Sequence, residues 1–301
     1  MATGIEWTDE TWNPTTGCTP VSPGCDHCYA EIMAKRLQRF GQHKYRNGFA
    51  YTEHEQELDR PHGWTKPRRI FVNSMSDLFH EEATQPFIFR VFDVMREVDR
   101  HTYQVLTKRP NKAAAWLRIY CIERGLQMLP PHIWIGTSVE NQDAVYRVGH
   151  LLRVPAAVQF LSCEPLLGPL DLSRLRLFKD SSYFNALDGF RHIDIGNWTK
   201  RLNDEPEPRV HWVIAGCESG QGMRPCDDDW LRSLRDQCVA AGIPFFLKQK
   251  HERVEETVHV TDITGPRRDY TKVRSRLVVK HAPELDGRQW LEVPQREEVT
   301  A

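Results

Sequence analysis

The chain has 301 residues, 40% hydrophobic and 27% charged, which is enough to bury a sizeable core and typical of a globular protein. Forty Lys and Arg against 41 Asp and Glu leave a formal charge of −1, which excludes a broadly basic nucleic-acid binder and leaves room only for a local basic groove. No apolar run is long enough to span a bilayer, and MATGIEWTDE has neither the basic nor the apolar region of a secretory leader, so no membrane contact and a cytoplasmic location are expected.

Along the chain, residues 4–12 are expected to form a first strand. The next stretch holds Pro14, Gly17, Pro20, Pro23 and Gly24, so an irregular loop is expected over 13–28. A helix is expected over 28–40, with Ile32, Met33 and Leu37 at helical spacing. Strand-like runs follow at 70–74, 103–107, 133–137, 158–162, 211–215 and 244–248. Their continuous branched and aromatic content marks strands buried on both faces. Helices are expected between most of them. The segment 86–98 puts Phe87, Val91, Val94, Met95 and Val98 on one face, and 111–124 starts at Asn111 as N-cap. A shorter helix fits 141–152. The segment 227–241 opens with three aspartates, favourable at a helix N-terminus, and buries Leu231, Leu234 and Cys238.

Strand–helix alternation of this kind implies an α/β fold with a parallel sheet and right-handed crossovers. Six or seven units predict a partial or complete parallel (β/α) barrel over 1–251, with a doubly wound open sheet as the alternative. Polar, irregular residues 173–209 read as an insertion. Residues 252–301 read as a small C-terminal cap made of a hairpin (VHVTDI and RLVVKH) and a charged tail. In either architecture the chemistry is expected at the C-terminal strand ends.

Three of the eight cysteines crowd into GCTPVSPGCDHCYAE, as Cys18-x6-Cys25-x2-Cys28. A C-x2-C pair can direct two thiolates at one centre, and the third returns from the loop. Three protein ligands leave one coordination position open, as a reactive metal site requires. A helix starting near Cys28 would turn its N-terminal amides toward anionic sulfur, and Tyr29 can pack beside it. The alternative is a structural zinc site completed by His27 or a distant Cys or His. Cys121 and Cys238 fall on helices and read as core, and a disulfide framework is not expected.

TWNPTTGCTPVSPGCDHCYAE resembles the corresponding part of the phage-associated three-cysteine-motif family. FVNSMSDLFHE, LTKRP, GTSVEN, FLSCEPLLGP, AGCESGQGMRP, FFLKQ and LDGRQWLEVP resemble further segments of that family, in order along nearly the whole chain. That family in turn is similar to an outlying branch of the radical S-adenosylmethionine enzymes. The resemblance implies a radical-SAM-like barrel whose three cysteines hold a 4Fe–4S cluster. Its open iron would bind S-adenosylmethionine, and an external electron donor would reduce it to start radical chemistry. In those enzymes the first cysteine spacing is commonly x3, where this chain has x6. The substrate is left open, with a nucleotide or nucleic acid as one class suggested by the phage context.

The other motifs place polar residues just after apolar strands. Ser76 and Asp77 follow the run at 70–74, and the resemblance makes Asp77 a candidate for the methionine amino group; a helix cap or turn is the plainer reading. Lys108 and Arg109 can neutralise a carboxylate or phosphate. Ser138, Glu140 and Asn141 can hydrogen-bond a ribose or amino-acid moiety, or Asn141 can cap the next helix. Glu164 and Glu218 are candidate proton donors or acceptors. Cys217, like Cys163, is either a hydrogen-atom donor or a small packing residue. Lys248 and Gln249 end the last run and can face the same mouth. Two rival functions stand beside a radical enzyme. One is a zinc-stabilised module binding nucleic acid or a partner, without redox activity. The other is a nuclease placing a divalent ion on Asp77, Glu164 and Glu218.

Overall fold

A computed structural model of the protein describes residues 5–262 and 268–295. The fold is mixed α/β around an eight-stranded, mostly parallel sheet. Its strands are β1 (Glu10–Trp12), β2 (Arg69–Val72), β3 (Thr102–Thr107), β4 (Ile133–Ser138), β5 (Gln159–Cys163), β6 (Trp212–Gly216), β7 (Phe245–Asp262) and β8 (Arg268–His281). Each strand pairs with the next in chain order. β1 to β7 run parallel, and β8 returns antiparallel along β7. Strict sequential order rules out the doubly wound alternative, which needs the order to reverse at a switch point.

Side-chain alternation along the strands builds two cores. Ile70, Val72, Tyr103, Val105, Ile133, Ile135, Leu161, Val213, Phe245 and Leu247 face outward onto the helices. These are α2 (Gln85–Glu97), α3 (Pro110–Glu123), α4 (Tyr146–Leu151) and α5 (Asp228–Ala241). The opposite parity forms an inner cluster of Phe71, Trp134, Phe160, Trp212, Ile214 and Phe246 around Trp7. The Trp7 ring lies 4.8 Å from Phe71 on β2 and 6.0 Å from Trp212 on β6, so strands four places apart curl around one side chain. His281 Nδ1 at the end of β8 approaches Glu6 Oε1 to 3.5 Å, just before β1. Among the described residues no backbone pairing joins β1 to β8, so the sheet is open, curled and without a closed ring of strands.

Most expected elements form within a residue or two of their predicted bounds; the first strand, expected over 4–12, is confined to Glu10–Trp12, the helix expected over 141–152 divides into a 3-10 turn (Gln142–Ala144) and α4, and four further differences follow. Helix α1 (Tyr29–Arg39) buries Ala30 and Ala34, while Ile32 and Met33 are 65% and 40% exposed. The small alanines let the helix approach Tyr45 and Met75 closely, and that contact selects the alanine stripe. Helix α3 starts at Pro110 with Arg109 at its N-cap, which moves Asn111 inside the helix; proline suits the first turn, where its missing N–H is not needed. The insertion is ordered. Tyr183–Asn185, Phe190–Ile195 and Trp198–Arg201 form an antiparallel three-stranded sheet whose Phe184, Ala186 and Leu187 join the outer core. Finally, the cap boundary expected at 251/252 falls inside β7, which runs on continuously to Asp262 opposite Arg268. Beyond the end of β8 the chain takes over the β7 edge, where Leu247 donates to the Trp290 carbonyl (2.8 Å) and Trp290 stacks edge-on to Phe245. Residue 4 of the expected first strand, residues 263–267 of the hairpin and residues 296–301 of the tail lie outside the described residues. Among the described residues no helix is long and apolar enough to cross a membrane.

Candidate functional site

A cavity of about 610 Å³ opens at the C-terminal ends of the parallel strands. Its floor is apolar, from Trp7, Phe71 and Leu106. Cys18, Cys25 and Cys28 form one wall, and the strand ends supply Asn73, Ser76, Asp77, Lys108, Arg109, Ser138, Ser162, Glu164, Glu218, Lys248 and Gln249.

The cysteine loop is held against those strand ends by buried charges. Arg109 Nη1 donates to Cys18 Sγ (3.6 Å), and its Nη2 donates to Thr19 Oγ1 and the Thr19 carbonyl (3.0 and 3.2 Å). Ser22 donates to Glu140 Oε1 at 2.6 Å. Arg224 reaches Asp26 Oδ2 (3.1 Å) and the Pro23 carbonyl (2.9 Å) while pairing with Glu218. His27 Nδ1 lies 2.9 Å from Glu218 Oε2. Two glycines permit this close wrapping. Gly17 has φ +84°, and a Cβ there would lie 2.2 Å from the Ala50 carbonyl oxygen; a Cβ on Gly24 would meet the Glu140 carboxylate at 2.4 Å.

Several expected ligand contacts are thereby reassigned. Asp77 is buried, and its carboxylate accepts from Phe79 N–H (3.0 Å), Thr107 Oγ1 (2.7 Å), Lys108 N–H (2.9 Å) and Arg109 Nη1 (3.2 Å). It is fully engaged in fixing the turn after β3 and is not free for a methionine amino group. Glu140 is buried outside the cavity lining, where it joins Ser22, Lys108 Nζ (2.5 Å) and Arg147 Nη1 (2.8 Å). Burial works against its charge, but Lys108 and Arg147 hold the carboxyl below its ordinary range. Asn141 also leaves the cavity: it accepts from Ala144 N–H (3.2 Å) and caps a short 3-10 turn, so the capping reading holds. Tyr29 lines the cavity and donates to the Ser74 carbonyl. Ser76 lines it too, with its hydroxyl 2.6 Å from Thr15 Oγ1.

Cys217, expected as a candidate hydrogen-atom donor, and Cys163 are packing residues. Both are fully buried in the outer core and absent from the cavity, because they share strand parity with Val213 and Leu161. Burial pushes both thiols well up, as expected of packing residues. Glu164 and Glu218, one residue further on, do face the cavity. Glu164 pairs with Lys248 Nζ at 2.5 Å. Burial alone would raise the Glu218 carboxyl, but the Arg224 side chain and N–H, with His27, hold it down to about 2. A carboxylate this engaged is a clamp and not a proton donor near neutrality.

That clamp gives a pH prediction. The folded-state value lies below the unfolded value of about 4.3, so its stabilisation is present above that pH and is lost as pH falls toward about 2. Glu218→Gln is therefore expected to lower the urea midpoint at neutral pH, with the gap to the parent closing across this acid window. A gap unchanged by acid would disprove the assignment.

Sequence reasoning passed over Asn73, Ser162, Arg147 and Arg224. Asn73 is buried with φ 64°, a conformation asparagine tolerates; its amide donates to Thr15 Oγ1 (2.7 Å), while its buried Oδ1 has no partner among the described residues. Asn73 also lines the cavity. Its signal was the inner parity it shares with Phe71.

All three cysteines are half-exposed and line the one cavity, with no disulfide. Burial and the Asp77 carboxylate push the Cys18 thiol up to about 11, while Arg109 pulls the other way. The sulfurs are not gathered round one point: among the described residues no three His, Cys, Asp or Glu side chains form a group able to hold a metal ion. The donor chemistry nevertheless suits a thiophilic centre with one open position. It offers three thiols on one pinned loop, a guanidinium beside one of them and an adjoining cavity. Asp77 and Glu218, by contrast, are saturated by protein donors, which does not suit a divalent-ion nuclease.

Comparison with known proteins places the chain in a family. The family described as "Protein of unknown function (DUF5131)" matches residues 2–294, and the chain belongs to it. No curated protein and no solved structure matches.

Proposed function

We propose that this protein is a radical S-adenosylmethionine-like enzyme built on a partial (β/α) barrel, with Cys18, Cys25 and Cys28 as the protein ligands of a 4Fe–4S cluster. The observation that carries the reading is that these three thiols, and no fourth, share a wall of the cavity at the C-terminal strand ends. When bound and reduced by an external electron donor, such a cluster supplies the electron that cleaves S-adenosylmethionine to a 5′-deoxyadenosyl radical.

The chain's own residues supply position and environment. Arg109 holds the loop at Cys18 and adds positive charge beside a thiolate ligand. Glu218, Arg224 and Glu140 fix the remainder of the loop. The apolar floor of Trp7, Phe71 and Leu106 excludes water beneath the reacting groups. Loading requires the three cysteine side chains to turn toward a common centre, which a half-exposed loop position allows.

The test is anaerobic reconstitution with iron and sulfide, then reduction with S-adenosylmethionine present. A brown protein that releases 5′-deoxyadenosine is expected. A properly loaded sample that yields none sinks the radical reading, and a colourless protein holding one zinc ion favours the structural module.

A further inference from the structure

The four carboxylates at the strand-end rim are not equivalent. Asp77 accepts four donors, Glu140 is held by Ser22, Lys108 and Arg147, and Glu218 by His27 and Arg224. Among the described residues Glu164 has one hydrogen-bond partner, Lys248 Nζ at 2.5 Å. The side chains of this pair are each 18% exposed and both line the cavity. One Glu164 oxygen and two Lys248 ammonium hydrogens are thus uncommitted. Lys108, elsewhere on the rim, shares Glu140 with Arg147 and has no free acceptor beside it. Glu164–Lys248 is therefore the rim pair that offers a charged acceptor and a charged donor side by side.

We propose that Glu164 and Lys248 form a subsite for the α-amino-acid end of the substrate. A free α-amino acid carries its ammonium and carboxylate two bonds apart, the complement of this pair. Ammonium against the free Glu164 oxygen and carboxylate against Lys248 close a ring of four alternating charges, and the resident ion pair stays intact. A lone anion would be repelled by Glu164 and a lone cation by Lys248, so the pair selects a zwitterion over either. The inference rests on the proposed function for the word substrate, but binding itself is readable without a cluster.

The experiment is isothermal titration of cluster-free protein with the free L-α-amino acids, their N-acetyl and amide derivatives, S-adenosylhomocysteine and adenosine. At least one free amino acid is expected to bind, and its blocked derivatives are not. Lys248→Met and Glu164→Gln are each expected to weaken that binding by about tenfold or more, the scale of one lost charge-assisted contact. Glu164→Lys combined with Lys248→Glu re-forms the pair in reverse and should recover most of the affinity, which a misfolded protein would not. The protein with alanine at all three cysteines should bind as the parent does. The subsite is overturned if no free amino acid binds the parent, if the single variants leave binding unchanged, or if S-adenosylhomocysteine alone binds. A colourless protein that still binds the amino acid sinks only the cluster; a brown protein that binds none sinks only the subsite.

Discussion

Alanine at any one of Cys18, Cys25 or Cys28 is expected to leave the reconstituted protein colourless, with iron reduced to background, while the urea midpoint barely moves. The two halves of this expectation rest on different observations. On the proposed ligation iron would be lost because three thiols on one loop would be the whole protein donor set, and two thiolates would not keep a cluster against exchange with solvent thiols. Stability is kept because all three side chains are only partly buried. Substitutions at such sites usually stay within about 0.5 kcal/mol. The loop itself is fixed by Arg109, Glu140, Glu218 and Arg224, which the variants leave in place. A structural zinc site behaves oppositely, since its metal contributes folding free energy directly and losing a ligand would lower the midpoint. Iron content by ferrozine and a urea titration on the same samples separate the two. Full iron retention in any single variant would remove that cysteine from the centre.

Periodicity and run length were enough to locate the strands and helices, because continuous apolar runs of this length have few alternatives once helical stripes lie between them. The wrong face of α1 shows the limit. Ile32, Met33 and Leu37 form one apolar stripe and Ala30, Ala34 and Leu37 another. The second is chosen by Tyr45, just past the helix, and by Met75 from distant chain. The site was legible as a set of strand ends but not in its roles. Reading the strands as buried on both faces concealed that one parity supplies most of the mouth. Phe71 and Asn73, Leu106 and Lys108, Phe160, Ser162 and Glu164, and Phe246 and Lys248 all point inward. Applied to 158–164 and 211–218, the same alternation sends Cys163 and Cys217 into the helix layer and retains Glu164 and Glu218. What no local pattern could reveal is saturation. Asp77, Glu140 and Glu218 look like Glu164 in sequence, and donors from distant parts of the chain, Ser22, His27 and Thr107 among them, help turn the first three into braces.

Asp77 is the brace whose loss should be felt most. Asp77→Ala deletes the acceptor of two backbone N–H groups, the Thr107 hydroxyl and Arg109 in one step. Arg109 is itself buried, and its other carboxylate neighbour, Glu81, is largely exposed at 3.4 Å. Removing one member of a buried pair strands the other charge, which costs about 3–5 kcal/mol, a large share of a domain's stability. Asp77→Asn should recover little, because its amide group turns donors toward donors at Lys108 N–H and Arg109. The decisive comparison is Asp77→Ala combined with Arg109→Ala, where no buried charge is left unpaired. The double variant is expected to be clearly more stable than the sum of the two single losses predicts, as read by urea unfolding. Additive losses would mean that the pair does not act as a unit. It would then no longer explain how Cys18 is held, since the Arg109 guanidinium that touches its sulfur is set in place by Asp77.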